Sequence, residues 1–429
     1  MFYIFLTILF IYLIVPYKKI SFNVIHIKKY IIPIIFIMIM MCLVIFSQDV
    51  FNSAYTGLML WVNNIVPSLF PFLICLNVLT NTNILQIIGK LLEPVIRPFF
   101  NIPGNGAFAI IMGMCSGYPV GAKFAASLRE KNQCSKTEGE RILAFTNTSG
   151  PLFIIGAVGI GMFGDGKLGT LFLITHIISA LLVGIIFRFY KFNHNTQIYK
   201  KELHSSSNQN TSSIKTKTPP LGNLIGEAIK NSISTLLLIC GFIVFFEVLG
   251  TILDSIGVTN IISKTVCNIL STLGFSTELT NEISAGCFKG LLEITSGLKI
   301  LSTATIDYKI LFTIIAIILG FGGLSVHMQV ASIISATDLS LKPYLLGKTL
   351  HGIFAGTLTY IVLTYTSFFN LEAVETFGSF ATNKFNNDSY GYINSGNVLI
   401  IAISIIMLLV LAILLLKKDT YKYKKSKSL

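Results

Sequence analysis

Small polar side chains and helix-breaking residues interrupt an otherwise apolar sequence at two neighbouring places. The first interruption, at 116–119, reads Ser-Gly-Tyr-Pro, and the second, at 147–151, reads Asn-Thr-Ser-Gly-Pro. Hydroxyl and amide groups both donate and accept hydrogen bonds. Non-helical backbone at membrane depth is tolerated only where it is buried in protein or lines a cavity. The interruptions are therefore candidate solute-binding segments, with these residues as candidate ligands: Ser116, Tyr118, Lys123, Asn147, Thr148, Ser149 and Gly150.

The same kinds of residue recur in the second half of the chain. A shift of 176 residues places Lys123 on Lys299 and Ser149 on Ser325, and a shift of 175 places His176 on His351. Interrupted apolar segments at matching positions in two halves are a sequence pointer to a transporter binding site. The second half adds these candidates: Ser296, Lys299, Gly323, Ser325, His327 and Gln329.

Each candidate also has a structural explanation. The hydroxyl and amide side chains could satisfy the backbone at a helix break, and either lysine could extend to the membrane surface. His327 titrates near neutral pH when unperturbed and could serve binding or coupling, or it could be a buried, satisfied histidine. His176 and His351 lie on matching apolar segments and are interpreted as packing residues outside the site.

Glu293 is a carboxylic acid inside the apolar segment 282–301. An ionisable residue within a membrane segment is by default a functional hypothesis. It is the candidate coupling residue, binding H⁺ or Na⁺, and the alternative is an ion pair with Lys289 or Lys299. Its counterpart by the 176-residue shift is Gly117, so the acid breaks the symmetry between the halves.

The composition of the 429 residues indicates a polytopic membrane protein. Hydrophobic residues make up 53% and charged residues 12%, against roughly a quarter charged in soluble domains. The net charge of +13 lies mainly in short loops and the tail, which is how membrane orientation is encoded. We therefore expect a lipid bilayer and no nucleic acid as partner, and the sequence leaves a homo-oligomer open.

The sequence carries no recognisable catalytic or cofactor motif. It has no HExxH, GxSxG or P-loop, and its seven cysteines are scattered without a CxxC pair. We therefore predict no enzyme activity, no metal site and no cofactor.

Hydropathy and loop charge divide the chain into seven parts. They are two N-terminal membrane helices (1–49, the first at 1–15), a first repeat (50–190), a flexible cytoplasmic linker (191–222), a second repeat (223–366), an external loop (367–397), a final membrane helix (398–416) and a basic cytoplasmic tail (417–429).

Loop charge also sets the orientation of the two repeats. The segment after Lys123 is basic up to Arg141 and is assigned to the cytoplasm, whereas the matching segment after Lys299 and the loop at 367–397 are poor in basic residues. The second repeat is therefore predicted to be inverted. The predicted fold is an all-α polytopic membrane protein of two inverted repeats with broken or re-entrant half-helices.

Half-helices of this kind favour an anionic solute. A helix N-terminus carries roughly half a positive charge and binds carboxylate or phosphate well. With Lys123 and Lys299 added, the sequence predicts a small anionic or polar organic solute.

Three sequence segments carry a family resemblance. Residues 116–123 (Ser-Gly-Tyr-Pro-Val-Gly-Ala-Lys), 138–141 (Glu-Gly-Glu-Arg) and 147–159 (Asn-Thr-Ser-Gly-Pro-Leu-Phe-Ile-Ile-Gly-Ala-Val-Gly) closely resemble the YlbJ-type sporulation integral membrane proteins, also called stage V sporulation protein V. The resemblance covers about residues 50 to 365. It implies two gate, or nucleoside-recognition, domains similar to those of concentrative nucleoside transporters.

The resemblance also implies a role in endospore-forming bacteria. Such proteins act in the mother cell in spore cortex formation and in moving dipicolinic acid across the outer forespore membrane, so we expect a multi-pass protein of the mother-cell or outer forespore membrane. Dipicolinate is a small aromatic dianion, which agrees with positive half-helix ends. The alternatives are a nucleoside transporter, and a non-transporting scaffold that recruits spore-envelope proteins through its lysine-rich linker and tail.

Overall fold

The computed structural model of the protein describes residues 24–80, 84–191, 220–272, 277–304 and 306–365. They form two compact units that divide between Asn52 and Ser53. Several predicted parts fall outside these ranges: the helix at 1–15, most of the linker at 191–222, the external loop at 367–397, the final helix at 398–416 and the tail at 417–429.

The described residues form helices and no strands. In the first half the helices are α1 (Val24–Ile45), α2 (Ser47–Leu60), α3 (Val66–Thr80), α4 (Ile84–Phe100), α5 (Gly106–Ser116), α6 (Val120–Glu130), α7 (Lys136–Thr146), the π-helical α8 (Leu152–Met162) and α9 (Gly166–Phe187). In the second half they are α10 (Leu221–Ser255), α11 (Val258–Thr272), α12 (Thr277–Leu292), α13 (Ile294–Leu301), α14 (Tyr308–Phe321), α15 (Gly323–Ile334) and α16 (Leu341–Tyr365).

Long apolar helices with exposed apolar side chains indicate that the protein lies in a lipid bilayer. Within the described ranges, three segments are long and apolar enough to cross a membrane, namely Gly166–Phe187, Leu221–Ser255 and Tyr308–Ile334, or four if the bent helix pair at 32–63 is one span. Large apolar side chains on α10, including Leu237 and Phe245, point outward. Such a surface is costly in water and stable in a bilayer. The protein is an all-α polytopic membrane protein.

The order of helices repeats along the chain. Helices α3 to α9 are followed by α10 to α16 with the same sequence of breaks: a short helix, a turn, a second short helix, a loop, then a helix pair joined at a sharp interruption. The two prominent interruptions, at 147–151 and at Gly322, occupy matching places in this order.

The segment 53–77, which runs through α2, the π-helical turn Trp61–Ile65 and α3, lies antiparallel to α10. Trp61 Nε1 donates to the carbonyl of Leu236, its own counterpart 175 residues later, at 2.9 Å. Before it, Thr251 donates to Ser53, and after it, Asn77 donates to Ser232. As the residue number in the first segment rises from 53 to 77, the number of its hydrogen-bonded partner falls from 251 to 232. The two segments therefore run antiparallel, as the prediction of an inverted second repeat requires.

Glycines allow a close helix crossing beside the first interruption. A Cβ on Gly121 would lie 2.3 Å from the carbonyl oxygen of Thr146, and one on Gly113 only 1.9 Å from the same atom. In the second half, a Cβ on Gly297 would meet the Cα of Gly290 at 2.2 Å. The half-helices α6 and α13 are thus held at distances that only glycine permits.

The segment 282–301, predicted as one apolar stretch, is two helices. Helix α12 ends at Leu292 and α13 begins at Ile294. Glu293 between them has an extended backbone, and its carboxylate accepts a hydrogen bond from the backbone N–H of Ser296 at 2.8 Å. A side chain that accepts from the third residue of a helix caps its N-terminus. The break between α12 and α13 therefore forms at an acid, whereas the break at 147–151 contains a glycine and a proline.

Arg141, predicted as a cytoplasmic loop charge, is buried. Its guanidinium donates to the carbonyl of Tyr190 at 2.6 Å and to that of Asn101 at 2.7 Å. The neighbouring Glu140 is also buried and accepts from the hydroxyl of Tyr190 and from the ammonium of Lys191. The carbonyls of Asn101 and Tyr190 lie just after the ends of α4 and α9, where backbone carbonyls lack intrahelical partners. Arg141 satisfies both and so ties the two helix ends together.

Candidate functional site

The loop at 147–151 is fixed by its own polar groups. Helix α7 ends at Thr146, and the Asn147 side chain then accepts from the backbone N–H of Ala122 at 3.4 Å. The Thr148 hydroxyl donates to the carbonyl of Gly113 at 3.2 Å. Asn147, Thr148 and Ser149 are all buried. The loop at 147–151 therefore packs against α5 and α6, and its side chains form hydrogen bonds with their backbone groups.

Lys348, on α16, places an ammonium group against this loop. Its side chain is 1% exposed, and Nζ donates to the carbonyl of Asn147 at 3.2 Å and to Nδ1 of His351 at 3.1 Å. No carboxylate lies within ion-pair distance of Lys348 in the described part of the chain. A buried ion without a counter-ion costs several kcal/mol, even after relaxation. Its described partners are both neutral acceptors, and protonation of Lys348 would make this point electropositive.

The N-terminus of α15 adds positive potential at the same point. Gly322 and Gly323 have backbone φ values of 94° and 70°, a region that favours glycine. The N-cap residue is Gly322, which has no side chain to accept a hydrogen bond from this helix, and a Cβ on Gly322 would lie 3.6 Å from Cε of Lys348. The first N–H groups of a helix lack intrahelical partners and carry roughly half a positive charge together. A cation at a helix N-terminus is unfavourable unless an anion joins them.

Histidines connect the two halves around Lys348. The rings of His176 and His351 lie 4.3 Å apart, and Nε2 of His351 is 2.9 Å from the carbonyl of His176. The backbone N–H of Ser149 donates to Nε2 of His176 at 3.1 Å. These two histidines, interpreted from sequence as packing residues, are buried members of the polar network that contains Lys348.

A tyrosine links a third histidine to the same network. The hydroxyl of Tyr344 lies 3.3 Å from Nδ2 of Asn147 and 3.3 Å from Nδ1 of His327. On the other side, the Ser149 hydroxyl donates to the hydroxyl of Tyr118 at 3.2 Å. The network therefore runs from Tyr118 through the first interruption to α15 and α16.

Glu293 lies in a second polar cluster. The Ser296 hydroxyl is hydrogen-bonded to Glu247 of α10 and lies 3.2 Å from Glu293. Neither of the expected ion pairs of Glu293 is seen among the described residues, because Lys289 pairs with Asp254 instead and Lys299 is exposed. The acid is buried and held by the N-terminus of α13 and by a hydroxyl that it shares with a second carboxylate.

The structure gathers some of the sequence candidates and separates others. Those in or beside the Lys348 network are Tyr118, Asn147, Ser149, Gly150, Gly323 and His327. Ser325 and Gln329 are buried on α15, and Gln329 Oε1 has no partner in the described part.

The remaining candidates bond elsewhere. Lys123 donates to Thr235 of α10 at 2.6 Å, and Ser116 donates to the carbonyl of Met112 within its own helix. Thr148 holds the helix break, and Ser296 serves the Glu293 cluster.

Two residues of the network, Lys348 and Tyr344, are absent from the sequence candidates. They lie four residues apart on α16, and His351 follows Lys348 by three. Residues three and four apart lie on one helix face. That polar stripe in an apolar helix is the sequence signal that could have found them.

Paired helix breaks that meet a buried polar centre define a class of protein: an integral membrane protein of transporter-like architecture. Residues 62–190 match the family described as Gate, nucleoside recognition. The chain is 35% identical over 350 residues to the sporulation integral membrane protein YlbJ of Bacillus subtilis (strain 168), a match that covers 79% of this chain and 84% of that protein. The chain belongs to the YlbJ family of sporulation integral membrane proteins. No solved structure matches it significantly.

Proposed function

We propose that this protein transports a small anionic metabolite across the membrane by alternating access, and that the solute is dipicolinate moved from the mother cell toward the forespore. The observation that carries the proposal is the buried side-chain amine of Lys348 beside the N-terminus of α15, whose N-cap residue is a glycine. Lys348 has no ion-pair partner among the described residues, and an ammonium beside a helix N-terminus favours an anion between them.

The choice of dipicolinate rests on family and chemistry together. The relative from Bacillus subtilis is a sporulation integral membrane protein, and the resemblance of the sequence motifs implies dipicolinate movement into the forespore. Dipicolinate carries two carboxylates on a flat ring. One carboxylate suits Lys348 and the half-helix end, and the ring suits the aromatic neighbours, since Phe321 and His327 pack edge to face at 4.6 Å.

The way the halves meet supports alternating access. The polar network joins α9 of the first half to α15 and α16 of the second, so rocking of one half on the other would open this centre to either side. The antiparallel contacts between 53–77 and α10 support inverted repeats.

Coupling is assigned to the Glu293 cluster. Two carboxylates, Glu293 and Glu247, share the hydroxyl of Ser296, and like charges this close are stabilised by a shared H⁺ or a bound Na⁺. Binding of that cation at the start of α13 would favour one orientation of the half-helix.

The first experiment measures dipicolinate in spores and in the mother-cell compartment of a strain that lacks this protein. We expect empty spores and accumulation in the mother cell, both restored by the wild-type gene. Normal loading of spores without the protein would contradict the proposed solute.

The same strain tests the site through Lys348→Met. Loss of a charged hydrogen-bond donor to the solute is expected to lower dipicolinate uptake about tenfold to a hundredfold. Lys342→Met is the matched control, because Lys342 lies on the same helix but is exposed. Equal uptake by both variants, at equal amounts of protein in the membrane, would remove Lys348 from the site.

A nucleoside is the second candidate solute, favoured by the Gate, nucleoside recognition match over residues 62–190 and by the hydroxyls of Tyr118 and Ser149. Competition separates the two solutes. Inhibition of dipicolinate uptake by excess benzoate but not by uridine supports the anion, and the reverse pattern supports the nucleoside.

A further inference from the structure

His327 carries a buried ring nitrogen that no described residue satisfies. The side chain is 4% exposed, Nδ1 lies 3.3 Å from the hydroxyl of Tyr344, and Nε2 has no partner in the described part of the chain. Buried polar atoms are nearly always hydrogen-bonded. An unsatisfied one beside a proposed solute site points to a group that arrives with the solute.

The direction of each hydrogen bond in the network can be worked out from one backbone group. The N–H of Ala122 can only donate, so the Asn147 atom that faces it is the carbonyl oxygen. The amide NH₂ of Asn147 therefore faces Tyr344 and donates to its hydroxyl oxygen. The hydroxyl hydrogen of Tyr344 then has one neighbouring acceptor among these groups, Nδ1 of His327.

This order fixes the tautomer of His327. If Nδ1 accepts from Tyr344, the ring proton of neutral His327 is on Nε2, because a neutral imidazole has one donor and one acceptor nitrogen. With the proton on Nδ1 instead, both Nδ2 of Asn147 and Nδ1 of His327 would donate to the Tyr344 oxygen. The Tyr344 hydroxyl hydrogen would then have no acceptor among these groups. The unsatisfied atom is therefore a hydrogen-bond donor.

His327 and Lys348 belong to one hydrogen-bonded network. Asn147 contacts both the Tyr344 hydroxyl and the Lys348 ammonium, and the start of α15, the helix that carries His327, approaches Cε of Lys348. An N–H donor, an ammonium and free helix N–H groups all require acceptors. A carboxylate supplies two acceptor oxygens and a negative charge.

We propose that neutral His327 is a solute-binding residue that donates its Nε2–H to the carboxylate held by Lys348, and that Asn147 and Tyr344 are positioning residues that keep the proton on Nε2. The inference rests on the proposed function and deepens it by naming the recognised group. Solutes whose corresponding group is uncharged, such as pyridine-2,6-dimethanol, lose the charge-assisted hydrogen bond.

The first test reads the tautomer without any solute. Nitrogen-15 NMR of the purified full chain, labelled on its six histidines, with His327 assigned by its absence in His327→Gln, should show the proton on Nε2. Tyr344→Phe should turn this single tautomer into a mixture. Tyr360→Phe, an exposed tyrosine of the same helix, should leave it unchanged. A proton on Nδ1 in the wild-type protein overturns the proposal.

The second test measures dipicolinate affinity by calorimetry in lipid nanodiscs. His327→Phe keeps a ring but removes the donor and should weaken binding about tenfold or more, whereas the side-chain amide of His327→Gln can donate and should restore most of the affinity. Wild-type affinity in His327→Phe overturns the proposal.

The two proposals fail in different ways. If the wild-type chain binds no dipicolinate, the proposed solute is wrong, and benzoate becomes the probe for His327. A benzoate-dependent shift of the Nε2 resonance then supports the role of His327, and no shift overturns it.

Discussion

At the scale of residues, the proposed solute and coupling sites both contain buried ionisable groups that have no ion-pair partner among the described residues. Lys348 is surrounded by neutral acceptors, whereas Glu293 is close to a second carboxylate. A buried ion without a counter-ion costs free energy. On the proposed function, an anion beside the lysine and a cation beside the acids would offset that cost. Both clusters lie at the start of a half-helix.

Glu293 gives a prediction at this scale. Glu293→Gln keeps the shape and the acceptor oxygen but removes the charge that would hold H⁺ or Na⁺. We expect uptake to lose its dependence on the ion gradient and to fall about tenfold or more, while the protein remains in the membrane. The measurement is dipicolinate uptake into vesicles with and without each gradient. The control is Glu227→Gln, since Glu227 is exposed on α10. A variant that keeps gradient-driven uptake would contradict the coupling role.

At the scale of elements, the two halves use different residues to break their helices. The first interruption could be predicted because Gly150 and Pro151 are standard breakers. The break at 293 could not, since it depends on a carboxylate that caps α13. Lys348 was missed for a related reason: a lysine in an apolar helix is expected to extend to the interface, and only the fold shows that α16 passes through the centre.

The tight crossing at Gly121 gives a prediction for these elements. Gly121→Ala would place a methyl group 2.3 Å from the carbonyl oxygen of Thr146, where backbone must move to make room. We expect a loss of about 1–3 kcal/mol in the free energy of unfolding. Thermal unfolding in detergent measures it against Gly226→Ala, which has open space around its Cβ position on α10. Equal stability of both variants would show that α6 can shift without cost.

At the scale of the whole molecule, the proposed solute site is built from helices of both halves of the chain. Matching helices meet across the middle of the protein, as in the contacts of Trp61 with Leu236 and of His176 with His351. The regular spacing of the sequence predicts a repeat, and the similar order of helices in the two halves agrees with that prediction. The spacing could not predict that the charged partners would be unequal, because Lys348 and Glu293 have Leu173 and Gly117 at their matching positions.

Inversion of the repeats gives a prediction that labelling can check. Asp338 pairs with Arg129 at 2.8 Å, which places the turn after α15 beside the basic segment assigned to the cytoplasm. The matching turn at Asp165 should then face the other side. In a cysteine-free background, Asp165→Cys should react in intact cells with a membrane-impermeant maleimide, and Thr337→Cys should react only after permeabilisation. Labelling of both from one side would contradict the inversion.

The contact between Trp61 and Leu236 can be followed by intrinsic tryptophan fluorescence. Trp61 is the sole tryptophan in the sequence, and its indole N–H is bonded across the line where the halves meet. Any movement that separates the halves breaks this bond and changes the surroundings of a single fluorophore. The emission of the unmodified protein therefore follows one defined contact, and rapid mixing with solute can time its opening.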